Sequence, residues 1–458
     1  MEENEKIQLF EKTPIPSAVA KLSIPMVFSS LVMVLYNMAD TYFVGMLNNP
    51  VENAAVALAA PVLLAFNAIN NLFGVGTSSM MSRALGRKDY DTVSESSAFG
   101  FYCSLISGIL FGILCTVLNS PLLTLIGADA TTRTATQGYL FWTVSLGAAP
   151  AILNVVLAYL VRSEGAALHA SIGTMSGCLL NIILDPFFIL PWGLNMGAEG
   201  AGCATFISNC VACLYFFVLL YVKRGKTFVC VNPKRFHLKK HIIMEICGVG
   251  IPASIQNLLN VTGMTILNNF TSAYGADAVA AMGISYKIYM VPMQITLGFS
   301  QGIMPLVSYN FSSGNRRRMK SSILFAMKIM LPILAAVTVF YYIGADGLIH
   351  AFMKNSEIIA YGTAFLRGFC LGLIFLCVDF LAVGVFQALG IGKYALLFAI
   401  MRKIVLEIPA LFLLNHFFPL YGLAYAQFTA ELVLSICAAF MLRHIFRKYQ
   451  DTKGTAVQ

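Results

Sequence analysis

The sequence predicts an all-α membrane protein of twelve transmembrane helices in two pseudo-symmetric six-helix bundles. Three observations predict it. Of 458 residues, 58% are apolar and 11% charged, with a mean hydropathy of +0.77, against about 25% charged residues in a soluble domain. The apolar residues gather in runs long enough to cross a bilayer, which takes about 20 residues. The second half of the chain also repeats landmarks of the first at a nearly fixed offset.

The runs are 17–44, 53–81, 94–118, 134–160, 166–190, 199–222, 243–270, 277–308, 320–344, 357–386, 392–415 and 421–445. The opening stretch, MEENEKIQLFEKTPIPS, is polar and of mixed charge. It lacks the basic and apolar regions of a cleavable signal, so the first run reads as a retained span.

Basic residues set the orientation. With the N-terminus cytoplasmic, the inner side takes Arg83, Arg87, Lys88, Arg162, Lys393 and the groups at 223–240 and 316–320, plus Arg443, Arg447, Lys448 and Lys453. Only Arg133 and Lys354 fall outside. This positive-inside asymmetry predicts a multi-pass plasma (inner) membrane protein with both termini cytoplasmic. The formal charge of +9 is then a topology signal, and no nucleic-acid partner is expected. Eleven cysteines lie almost wholly in apolar runs. The CxxC at Cys210 and Cys213 has no second pair or histidine cluster beside it, and reads as packing.

The longest connection, rich in Lys and Arg, divides the chain into an N-lobe over 1–225, a loop over 226–242 and a C-lobe over 243–458. Ile24-Pro25 recurs as Ile251-Pro252, Gly86 as Gly314, Leu146-Gly147 as Leu371-Gly372, Asn154 as Asp379, and Asp185 as Glu407, at offsets of 222 to 228. A parallel repeat of six and six places a cavity between two halves, an arrangement typical of secondary transporters.

Ionisable residues inside membrane helices are functional candidates. Five carboxylates qualify: Asp40, Asp185, Asp379, Glu407 and Glu431. Helical spacing puts Tyr36 on the face of Asp40 and Asn181 on the face of Asp185. Carboxylate, amide and hydroxyl oxygens hold either a proton or a hard cation such as Na⁺, and Thr205 adds a further oxygen. Glu407 and Glu431 pair with the nearby Arg402 or Lys403, or face a wet cavity. Pro25 and Pro186 read as hinges or as static kinks, since each removes a backbone donor. Tyr139 and Asn154 are softer candidates. Met290 and Met293 make either an adaptable ligand surface or plain packing.

These residues resemble the multidrug and toxin extrusion (MATE) family, and its bacterial MepA/DinF-like branch most closely. The resemblance rests on LSIPMVFSSLVMVLYNMADTYFVG, SSMMSRALGRKDYD, LNIILDPFFI with GAEGAGCAT, and QGIMPLVSYNFSSGN, and covers nearly the whole chain. It implies a MATE/MOP-type transporter fold and a cation site in the N-lobe at Asp40, Asn181, Asp185 and Thr205, with Tyr36, Tyr139 and Asn154 nearby. The family's other branch carries an acid in the seventh helix. Here that helix has Gln256 and Asn260 instead, which favours coupling through the N-lobe and leaves Asp379 as a counter-charge for substrate.

The function expected is a cation-coupled antiporter, using H⁺ or Na⁺, that exports amphipathic and often cationic organic compounds as a monomer in the lipid bilayer. No cofactor is expected, nor any metal beyond Na⁺ at the coupling residues. The rival reading is a flippase of a lipid or lipid-linked precursor from the same superfamily. An intramembrane aspartyl protease is disfavoured, because no Gly-Asp pair occurs in the chain.

Overall fold

The computed structural model describes residues 2–449, so Lys453 and the rest of 450–458 lie outside it. Among the described residues all regular structure is helical. Eight helices are long and apolar enough to cross a membrane: Ile15–Gly45, Pro50–Gly86, Tyr90–Val117, Ala167–Ile189, Gly197–Val222, Lys240–Ser272, Arg316–His350 and Gly422–Lys448. Two more spans are bent pairs, Arg133–Leu146 with Ala148–Ser163 (50°) and Ser356–Leu371 with Leu373–Ala388 (45°).

The remaining two predicted spans are helical but more polar. Ala276–Ser312 is diluted by Lys287, Gln294 and Gln301, while the helical stretch 392–417 carries Lys393, Arg402, Lys403 and Glu407. Ala276–Ser312 is largely enclosed at its C-terminal end, with a nearly continuous buried run from Phe299 to Asn310. A helix surrounded by protein needs no apolar face toward lipid. The outer surfaces of other spans do, and Val117 (74% exposed) and Ile343 (75% exposed) illustrate the lipid-facing belt.

The two bends fall at Gly147 and Gly372, the pair matched in the sequence repeat. Three spans also contain a π-helical turn, at Asn71–Val75, Phe141–Leu146 and Met401–Glu407. An extra residue per turn rotates the following side chains and leaves backbone carbonyls loosely paired. The turn at Met401–Glu407 swings Arg402, Lys403 and Glu407 into the protein interior, where all three are buried. Pro25 and Pro186 lie inside unbroken helices, and Pro186 occupies the last turn of its helix, which ends at Ile189. Beyond that end the chain folds back, with Leu194 N donating to Phe187 O at 2.7 Å and Met196 N to Phe188 O at 2.9 Å. Gly193 permits this return, since a Cβ there would stand 2.0 Å from Phe187 O.

The lobes meet at the end that carries the termini and the linker. Ser23 Oγ donates to Phe299 O (3.4 Å), Ser254 Oγ to Ala68 O (2.6 Å) and Arg162 Nη1 to Gln301 Oε1 (3.0 Å). Arg83 pairs with Glu245 at 3.2 Å. Two bases read from sequence as loop charges, Arg83 and Arg162, are therefore buried seam residues at 8% and 3% exposure. Small residues let the backbones touch. A Cβ on Gly250 would lie 2.0 Å from Leu72 O, and one on Gly302 would lie 2.6 Å from Ser23 Cα.

The polar N-terminus forms a helix, Glu2–Glu11, that the apolar pattern did not reveal. It lies across both lobes. Lys6 pairs with Glu164 at 2.6 Å, and Glu11 Oε1 accepts from Tyr309 OH at 2.7 Å. Phe10 stacks on Tyr309 at 4.8 Å. The Gly250 contact gives a direct test. Gly250→Ala forces the methyl into the Leu72 backbone and should lower stability by about 1–3 kcal/mol, seen as a lower thermal unfolding midpoint in detergent. An unchanged midpoint would show that the seam is loose there.

Candidate functional site

In the N-lobe, four spans bring the predicted residues together. Asp185 is wholly buried at 0% exposure and Asn181, one turn earlier, is 2% exposed. Oriented to satisfy its neighbours, the Asn181 amide bridges two groups. Its Nδ2 donates to Asp185 Oδ2 at 2.9 Å, and its Oδ1 accepts from Thr205 Oγ1 at 3.2 Å and Thr205 N at 3.1 Å. Tyr36 lies beside Asp40, Tyr139 and Thr205, and Tyr139 lies beside both Asp40 and Asp185. The two aspartates are near enough to repel each other. Inside a membrane helix such carboxylates are costly and mark functional positions.

A cavity of about 290 Å³ opens next to this group, lined by Tyr36, Asn37, Asn67, Asn154, Asn181 and Thr205 among others. Asn181 and Thr205 form part of its wall, and Asp185 sits behind them. Asn154 Nδ2 donates to Asn209 Oδ1 at 2.7 Å. Three lining amides, Asn37, Asn67 and Asn209, escaped the sequence reading. Asn209 had a signal, because it stands 222 residues before Glu431. Among the described residues no group of three His, Cys, Asp or Glu side chains is placed to hold a metal ion. Carboxylate, amide and hydroxyl oxygens at Asp185, Asn181 and Thr205 together make a hard donor set.

The C-lobe answers the same positions with charge. Arg402 Nη2 lies 2.5 Å from Glu431 Oε1, and Nη1 lies 3.7 Å from Asp379 Oδ2. Lys403 Nζ donates to both oxygens of Glu407, at 2.8 and 2.6 Å. All five groups are buried, from 0% for Glu431 to 7% for Lys403. An offset of 222 carries Asn181 onto Lys403, Asp185 onto Glu407, Thr205 onto Gln427 and Asn209 onto Glu431. The second lobe has thus replaced an Asn-Asp pair by a Lys-Glu pair. It makes room by using Gly263, 227 residues after Tyr36, where a Cβ would already stand 3.0 Å from Lys403 Cδ.

A cavity of about 220 Å³ adjoins this cluster, lined by Gln256, Asn260, Met293, Gln301, Arg402 and Lys403 among others. Asn71, in the π-turn of the second span, also reaches it, so the pocket lies at the junction of the lobes. Met290 is half-buried outside this lining, and Asp379 faces Arg402 rather than the cavity. The charges that reach the pocket are the two bases; the acids stand behind them.

The MatE family model matches residues 25–187 and 252–413, two stretches of near-equal length in register with the repeat. The chain belongs to the MATE family. Multidrug export protein MepA of Staphylococcus saprophyticus is 33% identical to this MATE chain over 431 residues, covering 94% of each. A solved structure described as the outward-facing conformation of a multidrug resistance MATE family transporter superposes with a TM-score of 0.92 at 27% identity, over 98% of this chain and 99% of that one. A MOP superfamily transporter from Pyrococcus furiosus, described as having a binding pocket of reverse polarity that suggests a different function, superposes with a TM-score of 0.89 at 27% identity over the same shares.

Removing one member of a buried ion network leaves bare charge in a low dielectric, at a cost of about 3–5 kcal/mol. Arg402→Ala in this MATE chain should therefore unfold at markedly lower temperature. Arg402→Met combined with Asp379→Asn and Glu431→Gln should recover most of that loss. If the triple variant is no more stable than the single one, the cluster is not held together by charge balance.

Proposed function

We propose that this MATE transporter is a cation-coupled antiporter, with both termini cytoplasmic, that exports amphipathic organic compounds, many of them cationic. One observation carries the proposal: Asp185 is fully buried and its side-chain partner is a neutral amide, Asn181. A carboxylate so placed binds a positive charge readily, and Asp40 nearby strengthens the demand. The MepA relative, named as a multidrug export protein, supports the choice of cargo.

The amide offers a mechanism. With Asp185 ionised, Asn181 turns Nδ2 toward the carboxylate. With Asp185 protonated, or with Na⁺ beside it, the pull of the carboxylate on that N–H weakens, and the bridge from Asp185 through Asn181 to Thr205 loosens. Thr205 belongs to the sixth span and lines the cavity, so cation binding at Asp185 loosens a group on the cavity wall. The ion and the organic cation need not share ligands; each changes the electrostatics seen by the other.

Asp185→Asn removes the titratable group while keeping its size. It should abolish drug resistance in a sensitised host with the protein still present in the membrane, and retained resistance would sink the site. Drug efflux from proteoliposomes under separately imposed pH and Na⁺ gradients identifies the ion. Efflux driven by neither gradient would refute cation coupling altogether.

A second reading has an observation in its favour. Arg402 and Lys403 reach the C-lobe cavity, a polarity that suits an anionic headgroup and a flippase-like cargo. Transport of an anionic amphiphile in preference to an organic cation would select it.

A further inference from the structure

At the linker end of the C-lobe, a groove of about 830 Å³ runs between the start of the span Arg316–His350 and the end of the span Gly422–Lys448. Its polar rim is Arg316, Arg317 and Lys320, and its apolar floor is Met319, Leu324 and Phe446. Among the described residues no carboxylate lines it. Arg316 is held rigidly, its guanidinium 4.1 Å from the Phe311 ring and 5.0 Å from that of Tyr449, and its Nη1 is buried without a hydrogen-bond partner. Lys320 lies over Phe446 at 5.6 Å. A fixed guanidinium with a free donor, further bases beside it and an apolar trough running toward the bilayer match a phosphate carrying acyl chains.

The repeat shows what such a groove is built to hold. Its counterpart in the N-lobe lies at the start of the span Tyr90–Val117, and the inter-lobe linker fills it. Phe228 stacks on Tyr90 at 5.6 Å, Arg235 pairs with Asp91 at 2.8 Å and Lys239 pairs with Glu95 at 2.5 Å. There the lobe surface is acidic and the covering segment basic. In the C-lobe an offset of 228 places Met319 and Ile323 where Asp91 and Glu95 stand, and Arg317 where Asp89 stands, so the acids that hold the linker have no acidic counterpart. The chain beyond Tyr449, QDTKGTAVQ, has one acid, one base and no aromatic residue, and does not complement three bases over an apolar floor.

We propose that this groove binds one anionic phospholipid of the leaflet at the linker end, its phosphate on Arg316 and Lys320 and its chains along Leu324 and Phe446. The site anchors the start of the ninth span, next to the Tyr309–Arg318 segment that receives the N-terminal helix.

The test uses the full chain in nanodiscs of equal parts phosphatidylglycerol and phosphatidylethanolamine, with retained lipid counted by native mass spectrometry. The wild type should keep one phosphatidylglycerol in preference to phosphatidylethanolamine. Arg316→Gln with Lys320→Gln should weaken its retention by about tenfold or more, and Arg317→Gln with Lys320→Gln, which spares the aromatic clamp, should weaken it in the same direction. Lys234→Gln with Lys240→Gln, which removes two exposed charges from the same end, should leave retention unchanged. Equal loss in that control pair would overturn the site in favour of general surface charge. Displacement of the lipid by inorganic phosphate alone would overturn the lipid assignment. Increased retention after deletion of 450–458 would make the tail, not lipid, the occupant.

Discussion

Everything in this molecule turns on how buried carboxylates are answered. Asp185 and Glu407 occupy equivalent positions in two related lobes, and hydrocarbon penalises both when ionised. The C-lobe answers with covalently attached cations, Lys403 and Arg402, at 2.6 and 2.5 Å. The N-lobe answers with an amide. A lysine on the same chain never leaves, so the Glu407 site is filled in every state. Among the described residues the side-chain partner of Asp185 is the neutral amide of Asn181. On the mechanism proposed above, coupling falls to the lobe with the incomplete pair, while the complete pair keeps its own charge balance.

The duplicated frame makes this divergence possible at little structural cost. Both lobes bend their fourth helix at the matched Leu-Gly pair, and both set a carboxylate one turn after a polar residue. Within that shared geometry, trading Tyr36 for Gly263 opens the volume a lysine side chain needs. Asn154 and Asn209, which bond each other in the first lobe, become Asp379 and Glu431 with Arg402 between them. Each exchange keeps the position and replaces neutral groups by charged ones or makes room for them, so one scaffold carries an amide-lined site and a charge-paired one.

The spans and the Asn181–Asp185 pair were legible in the sequence because each is a local signal, while the repeat showed as landmarks at a near-constant offset and Thr205 joined the pair through the family resemblance. Apolar runs mark spans, and spacing of four residues puts side chains on one face. What escaped detection depends on the third dimension. The Glu2–Glu11 helix is too short and polar for a membrane-type run, because it packs only Ile7, Leu9 and Phe10 against the lobes. Arg83 and Arg162 look like loop charges until the seam buries them. The π-turn at Met401–Glu407 has no sequence mark, yet it decides that Arg402 and Lys403 point inward. Asn37, Asn67 and Asn209 are single amides in apolar helices, and only the cavity joins them.

The seam itself constrains how the lobes exchange states. The contacts between them gather at the linker end, and the N-terminal helix adds a strap there. Arg318 donates to the carbonyls of Phe10 at 2.6 Å and Leu9 at 3.3 Å, and also to Thr13 O. The strap's ionic contacts involve partly exposed groups, such as Lys6, and each is worth about 1 kcal/mol or less. Its one deeply buried apolar side chain, Phe10 at 2% exposure, contributes about 1.5–3 kcal/mol. A closure of a few kcal/mol is strong enough to keep one end shut and weak enough for a bound cation to outweigh, since inverting a two-state population takes about 5.5 kcal/mol. On the proposed coupling, the strap would be the part that yields when the charge at Asp185 changes, while the close approaches of Gly250 to Leu72 and Gly302 to Ser23 hold the seam described here.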